Sequence, residues 1–183
     1  MTTQTKPRTT TWTVDKTHSI VEFAVKHLVI TTVKGHFREF EGAALIDEAN
    51  PGNSSVTASI DVASIDTNVP DRDVHLRSDD FFNAEQFPKI TFKSTRVELV
   101  DAAHAKVHGD LTIRDVTRTV VLDTEYEGQV DDPWGNRRTA FTATTEISRK
   151  EFNVRWHQAI EAGGAVVGDK IKITLHVEAV RQA

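Results

Sequence analysis

The sequence predicts an all-β fold, an antiparallel barrel of about eight long strands with one or two short helices. Three observations carry that prediction. Apolar and polar residues alternate over stretch after stretch, the period-two pattern of a strand with one wet face. Turn-rich segments separate these stretches at hairpin-like spacing, and nothing resembles the strand–helix alternation of a parallel sheet. The strands are also long, which favours a closed barrel over a sandwich because closure removes exposed edges.

Residues 1–11 are Thr-rich without periodicity and are expected to form a flexible tail, with the domain spanning 12–183 and Trp12–Asp15 as its first ordered segment. Ser19–His27 alternates, with Val21, Phe23, Val25 and His27 on one face and Glu22 and Lys26 on the other. Thr31–Asp47 continues as a long strand. Val33, Gly35 and Phe37 are in phase, but Phe40 and Gly42 are not, which predicts a β-bulge between Phe37 and Phe40. After the turn residues Asn50-Pro51-Gly52-Asn53, Ser55–Thr67 reads as a strand. Asn68–Asp80 suits a short helix, and Lys89–Val100 is a strand entered through Pro88. Ala105–Ile113 and Thr117–Tyr126 are the arms of a hairpin turning through Arg114-Asp115. The Asp131–Asn136 loop leads to the strand Arg138–Ser148. An irregular or helix-like piece, Phe152–Glu161, then precedes the last strand, Asp169–Ala179.

At 183 residues the chain fits one domain with a substantial core. A net charge of −5, with charges interspersed, argues against a nucleic-acid binder, which carries a basic stripe. No window approaches the eighteen apolar residues of a spanning helix. The first eleven residues lack an apolar h-region, so a cytoplasmic location is expected. The absence of cysteine excludes disulfides, thiolate metal sites and a cysteine nucleophile. His104 and His108 lie on one strand face about 13 Å apart and cannot share an ion. Asp71-x-Asp73-x-His75 holds ligand-type residues but is short and helix-compatible. No metal site, catalytic residue or cofactor is therefore expected, and there is no metalloprotease, nucleophile-elbow, P-loop or dinucleotide motif.

The assembled residues resemble the YceI-like family of polyisoprenoid-binding proteins. The resemblance rests on Trp12-x-x-Asp15, on Ser19-x-Val21-x-Phe23-x-Val25-x-His27, and on Val33-x-Gly35-x-Phe37-x-x-Phe40-x-Gly42. It continues through Arg72-Asp73-x-His75-Leu76-x-Ser78-x-Asp80-Phe81-Phe82 and Phe87-Pro88-x-Ile90-x-Phe92. Gly109-Asp110-Leu111-Thr112-Ile113 leads into Val116-Thr117, with Asp115 in place of the family's glycine, and Ser148-Arg149-x-x-Phe152 and Gly168-Asp169-x-Ile171-x-Ile173 complete the match. It runs from about Trp12 to Val180 and implies an extended lipocalin-like barrel holding an isoprenoid-type chain, such as a quinone or a prenyl (pyro)phosphate, with no chemistry performed. The alternatives are an enzyme acting on such an amphiphile, using His27 or His75 with an acid, and a carrier of a fatty acid or amide. The only partner implied is the lipid. A transient membrane contact and a homodimer are compatible with this picture.

The lumen-facing candidates are Phe23, Val25, Phe37, Phe40, Ile60, Val62, Phe92 and Leu111, which could equally pack as a filled core. His27 is expected to point inward at a strand end, as a satisfied core histidine or a contact to a head group. Arg72, Asp73 and Ser78 are expected to pin the helical turn to the barrel, with His75 a candidate ligand contact. Phe81, Phe82 and Phe87 form either a plug or the lumen wall beside the mouth. Arg149, Phe152 and Trp156 form a second cluster, in which Arg149 is a candidate for a phosphate or quinone oxygen. At about 0.8 kcal/mol per buried CH₂, one isoprene unit contributes roughly 3–4 kcal/mol gross. Three or four units would offset the cost of association without any polar contact.

Overall fold

The computed structural model describes residues 9–161 and 163–183. Eight antiparallel barrel strands follow one another in chain order, and the first pairs with the last. β1 is Thr9–Val14 and, after a break, Ile20–His27. β2 is Thr31–Phe37 and Phe40–Asp47, and β3 is Ser55–Asp61 and Ile65–Asp66. Helix α1, Pro70–Arg77, lies between β3 and β4, which is Lys89–Leu99. β5 (His104–Ile113), β6 (Val116–Asp131), β7 (Arg137–Ser148) and β8 (Val167–Arg181) complete the wall. Closure comes from Trp12 and Val14 opposite Arg181 and Ala179, and from Val21 and Val25 opposite Leu175 and Ile171.

The first three strands are each broken once, and each break lets a long strand bend round the barrel. The slip between Phe37 and Phe40 falls where the change of phase predicts it. Two boundaries differ from expectation. The wall begins at Thr9, because Thr9, Thr10 and Thr11 pair with Asp47, Ile46 and Leu45, and only residues 1–8 of the expected tail lie outside the described residues. The stretch 55–67 is interrupted at Val62–Ser64 by a 3-10 turn that buries Val62 and lets its N–H donate to the carbonyl of Pro88.

The barrel has two unlike ends. At the far end Trp12 is only 1% exposed and its indole N–H donates to Thr10 Oγ1 at 2.8 Å, while buried Thr139 and Ala179 pair with each other on the closing strands. At the mouth end, α1 and the Ser78–Pro88 segment, the Arg114-Asp115 turn and the 149–166 loop come together. The outward rows are polar: Glu22 meets Lys34 and His36, Glu146 meets Lys170, and the Thr112 and Thr117 hydroxyls meet at 2.7 Å. A membrane barrel carries an outward apolar band instead. No described helix is long and apolar enough to cross a membrane.

Candidate functional site

Cross-strand partners share a face of the sheet, so the ladder locates the inward rows. Phe23 lies opposite Gly35 and Ile173, Val25 opposite Val33 and Ile171, and Phe37 opposite Val21 and Ile65. Phe40 continues to Ile60 and Ile90, while Phe92 meets Ala58 and Leu111. His27 ends its row at the mouth, between Thr31 and Val167. Most of these positions belong to one cluster with Ile113, Val120 and Ile147. Val21, Phe23, Val25, Ile60, Phe92, Ile171 and Ile173 nevertheless stay only half-buried.

Two glycines receive aromatic rings of this row. A Cβ on Gly35 would collide with the Phe23 ring, and one on Gly109 with the Phe92 ring. Each ring therefore packs over a glycine of the neighbouring strand, the aromatic-over-glycine arrangement that curved sheets use. A line of aromatics then leads towards the mouth, Phe23 to Phe37 at 5.7 Å and Phe37 to Phe82 at 6.1 Å between centroids.

The mouth is covered by a braced lid. Pro70 opens α1, with Asp71 and Asp73 in the first turn and His75 and Arg77 in the last, as the helix dipole favours. Buried Asp73 turns back into the wall, where its Oδ1 accepts the Thr67 N–H at 2.9 Å and the Thr67 hydroxyl at 2.6 Å. Arg72 donates to Thr67, Arg77 to the carbonyls of Ala63 and Ile65, and Ser78 to His75. His75 meets Asp80 at 2.8 Å and packs edge-on against Phe81 and Trp156, which are themselves 5.4 Å apart. Arg114 ties the lid to the β5–β6 turn through Asp79 and the carbonyl of Phe81, and stacks over Phe87. Phe87 thus sits under the rim and outside the apolar cluster.

The second expected cluster has a different occupation. Arg149 is buried, and its guanidinium donates to the carbonyls of Val154, Trp156, Gly168 and Val167, which holds the β7–β8 loop against the wall. That saturates the group a head group would need. Burial pushes the Arg149 pKa down, partly countered by Asp169. Phe152, like Val62, is 1% exposed and belongs to the buried core cluster, so neither offers accessible surface to a ligand.

A cation that sequence reasoning did not single out is free. Arg118 lies opposite Leu111 on an inward row, between Val116 and Val120, and has no partner among the described residues. Beside it the wall is unzipped: the β6–β7 ladder runs from Asp131–Arg137 to Asp123–Thr144 and stops. Residues 116–122 of β6 and 145–148 of β7 are not paired with each other, and Arg118, within this gap in the ladder, is exposed. The signal was present in the phase of Val116, Arg118 and Val120, an arginine in the place of an apolar residue.

Asp15, His18 and Glu178 place ligand-type atoms within 4.8 Å of one another. Arg138 fills the cation's place there. It donates to Asp15 at 2.8 Å, to Glu178 at 2.5 Å and to Asp132 at 2.6 Å, and so clasps the break in β1 to the closing strands.

Comparisons with known proteins agree with this geometry. The model of the YceI-like domain matches residues 12–179. A UPF0312 protein of Pectobacterium carotovorum is 40% identical over 90% of this chain and 82% of its own length. Protein YceI of Escherichia coli O157:H7 is 38% identical over 90% of this chain and 83% of its own. Among solved structures, Burkholderia cenocepacia BcnA superposes with a TM-score of 0.79 at 25% identity, covering 90% of this chain and 98% of that one. A polyisoprenoid binding domain from Saccharophagus degradans superposes with a TM-score of 0.68 at 14% identity, over 93% and 98%, a likeness of fold alone.

Proposed function

The chain belongs to the YceI-like family, and from that premise we propose that its barrel binds, carries or stores a polyisoprenoid-type lipid without transforming it. The observation that carries the proposal is the half-buried inward row. Val21, Phe23, Val25, Ile60, Phe92 and Ile171 leave accessible apolar surface inside a closed wall, as a long hydrocarbon chain requires. The name of the Saccharophagus domain supports the ligand class. His27, Phe37, Phe40, Leu111 and Phe82 extend the same surface, and the His75–Phe81–Trp156 lid closes over the chain's outer end.

Arg118 assigns the head group within this reading. A free guanidinium beside a gap in the ladder suits a phosphate or pyrophosphate standing in water while the tail lies inside. The test is a titration with farnesyl pyrophosphate and with farnesol, followed by tryptophan fluorescence. The wild type is expected to bind both and to prefer the pyrophosphate. Arg118→Leu should lose about tenfold or more on the pyrophosphate, the worth of a hydrogen bond to a charged group, and little on the alcohol. Equal losses on both ligands would remove the head-group role, and failure of the wild type to bind either would remove the lumen reading.

A further inference from the structure

The tip of the β1–β2 hairpin breaks two rules at once. Leu28, Val29 and Ile30 are consecutive aliphatics at the surface, with Val29 59% and Ile30 79% exposed. Leu28 and Val29 also adopt positive φ, 51° and 67°. Tips with this backbone favour glycine, asparagine or aspartate, and for a β-branched residue the left-handed region is a genuine outlier. A strained backbone carrying exposed apolar side chains is worse for folding than Asn-Gly would be. The core receives nothing in exchange.

The tip is nonetheless held firmly. The Leu28 N–H donates to the carbonyl of Val166 at 3.0 Å, and Thr31 Oγ1 donates to the carbonyl of His27 at 3.1 Å. Val29 seats against the bare backbone of Gly164. The hairpin therefore presents Ile30 in a fixed direction at the mouth end, on the tip that joins the paired residues His27 and Thr31. Val69 and Val74 add exposed aliphatics on the lid at that same end.

We propose that the Leu28–Ile30 tip inserts into the surface of a lipid bilayer, bringing the mouth of the barrel against the membrane. The size of the patch selects this occupant. A stable protein partner needs about 1,000 Å² or more of buried surface with a well-packed centre, far beyond three side chains. A few aliphatics entering the boundary between head groups and acyl chains are enough for weak, reversible attachment. Charge points the same way. The protein carries a net −5, and of the two lysines nearest the tip Lys34 is paired with Glu22 and only Lys26 stands exposed, a single charge that gives little salt-dependent attraction. Attachment should therefore be apolar, insensitive to salt, and as good on zwitterionic as on anionic vesicles. Any passage of lipid through that mouth rests on the carrier reading; the contact itself does not.

Flotation with phosphatidylcholine vesicles tests it, with gel filtration and prenyl uptake from ethanolic solution run alongside. The wild type should float with the vesicles at low and high salt. Ile30→Glu should reduce the bound fraction about tenfold while taking up a fluorescent farnesyl analogue as the wild type does. The double variant Leu28→Asn/Val29→Gly should lose flotation and melt at a higher temperature, two readouts that a merely structural tip would not separate. A wild type that does not float, or an Ile30→Glu variant that floats equally well, overturns the proposal. So does a wild-type dimer that Ile30→Glu dissociates without any flotation, since the tip would then belong to a second copy. Failure of prenyl uptake with flotation intact removes the carrier reading and leaves the docking surface standing.

Discussion

Gly109 shows how a single missing side chain shapes the lumen. Its absent Cβ lets the Phe92 ring lie across β5, and the Lys93 carbonyl lies 2.7 Å from where that Cβ would be, so neither ring nor backbone has room to yield. Gly109→Ala should swing Phe92 into the lumen and cost about 1–3 kcal/mol, the usual penalty for overpacking. The expected outcome is a lower urea midpoint together with weaker uptake of a long prenyl chain. Lost stability with unchanged uptake would mean the ring does not border the ligand. Which side chains face inward was legible from alternation for Phe23, Val25, Phe37 and Phe92. The packing of the rings over glycine was not, because it depends on which glycine the neighbouring strand brings alongside. Arg149 misled for a related reason. Its sequence shows a cation near a strand end, and only the folded loop shows the four carbonyls that occupy it.

Among the elements, α1 depends on a side chain more than on its own sequence. It is eight residues long, has no side-chain cap at Val69 and buries only Asp73. Isolated helices of that length are marginal in water. The Asp73 carboxylate supplies the missing tie by accepting two hydrogen bonds from Thr67. Asp73→Ala strands the Thr67 N–H and hydroxyl, and it should cost about 1–3 kcal/mol by urea unfolding. Amide exchange should rise first in α1 and the Ser78–Phe87 segment. Uniform exchange across the barrel would argue against the lid as a separate unit. The helix, the Phe37–Phe40 slip and the Arg114-Asp115 turn could all be read from residue phase and turn chemistry. Asp115 needs no glycine there, because the positive φ falls on Arg114, at 54°. The break at 15–19 was legible as the gap between two segments, whereas the one at 62–64 was not, because it answers to a distant partner, Pro88.

For the whole molecule, the ladder that closes the barrel is clasped by an ion-pair cluster at one seam. The Asp15 carboxyl is held well below the usual carboxylate range, first by its hydrogen bond from His18 and then by Arg138. Burial alone would raise Asp132, but hydrogen bonds from Arg138 and Asn136 bring it well below that range too. A depressed carboxylate contributes stability that is fully present above its unfolded pKa, near 4, and is lost as the pH falls towards the folded value. The melting temperature should therefore drop as the pH is lowered through about 4. Arg138→Gln should shrink that drop, whereas an unchanged acid dependence would deny the clasp its role. The eight-strand closed architecture was legible from strand count and length. The identity of the seam was not, since Asp15, the Asp132–Arg138 segment and Glu178 come from three separate stretches of the chain.

The central claim is that this closed wall surrounds a lumen that holds a polyisoprenoid-type lipid. Mass spectrometry of the organic-solvent extract of protein purified from its own host tests it most directly. The account predicts one prenyl lipid or isoprenoid quinone per chain. A fatty acid or amide in that place would contradict the ligand class. An empty extract, with no uptake of added prenyl lipid, would mean the inward rows are a filled core and would contradict the account altogether.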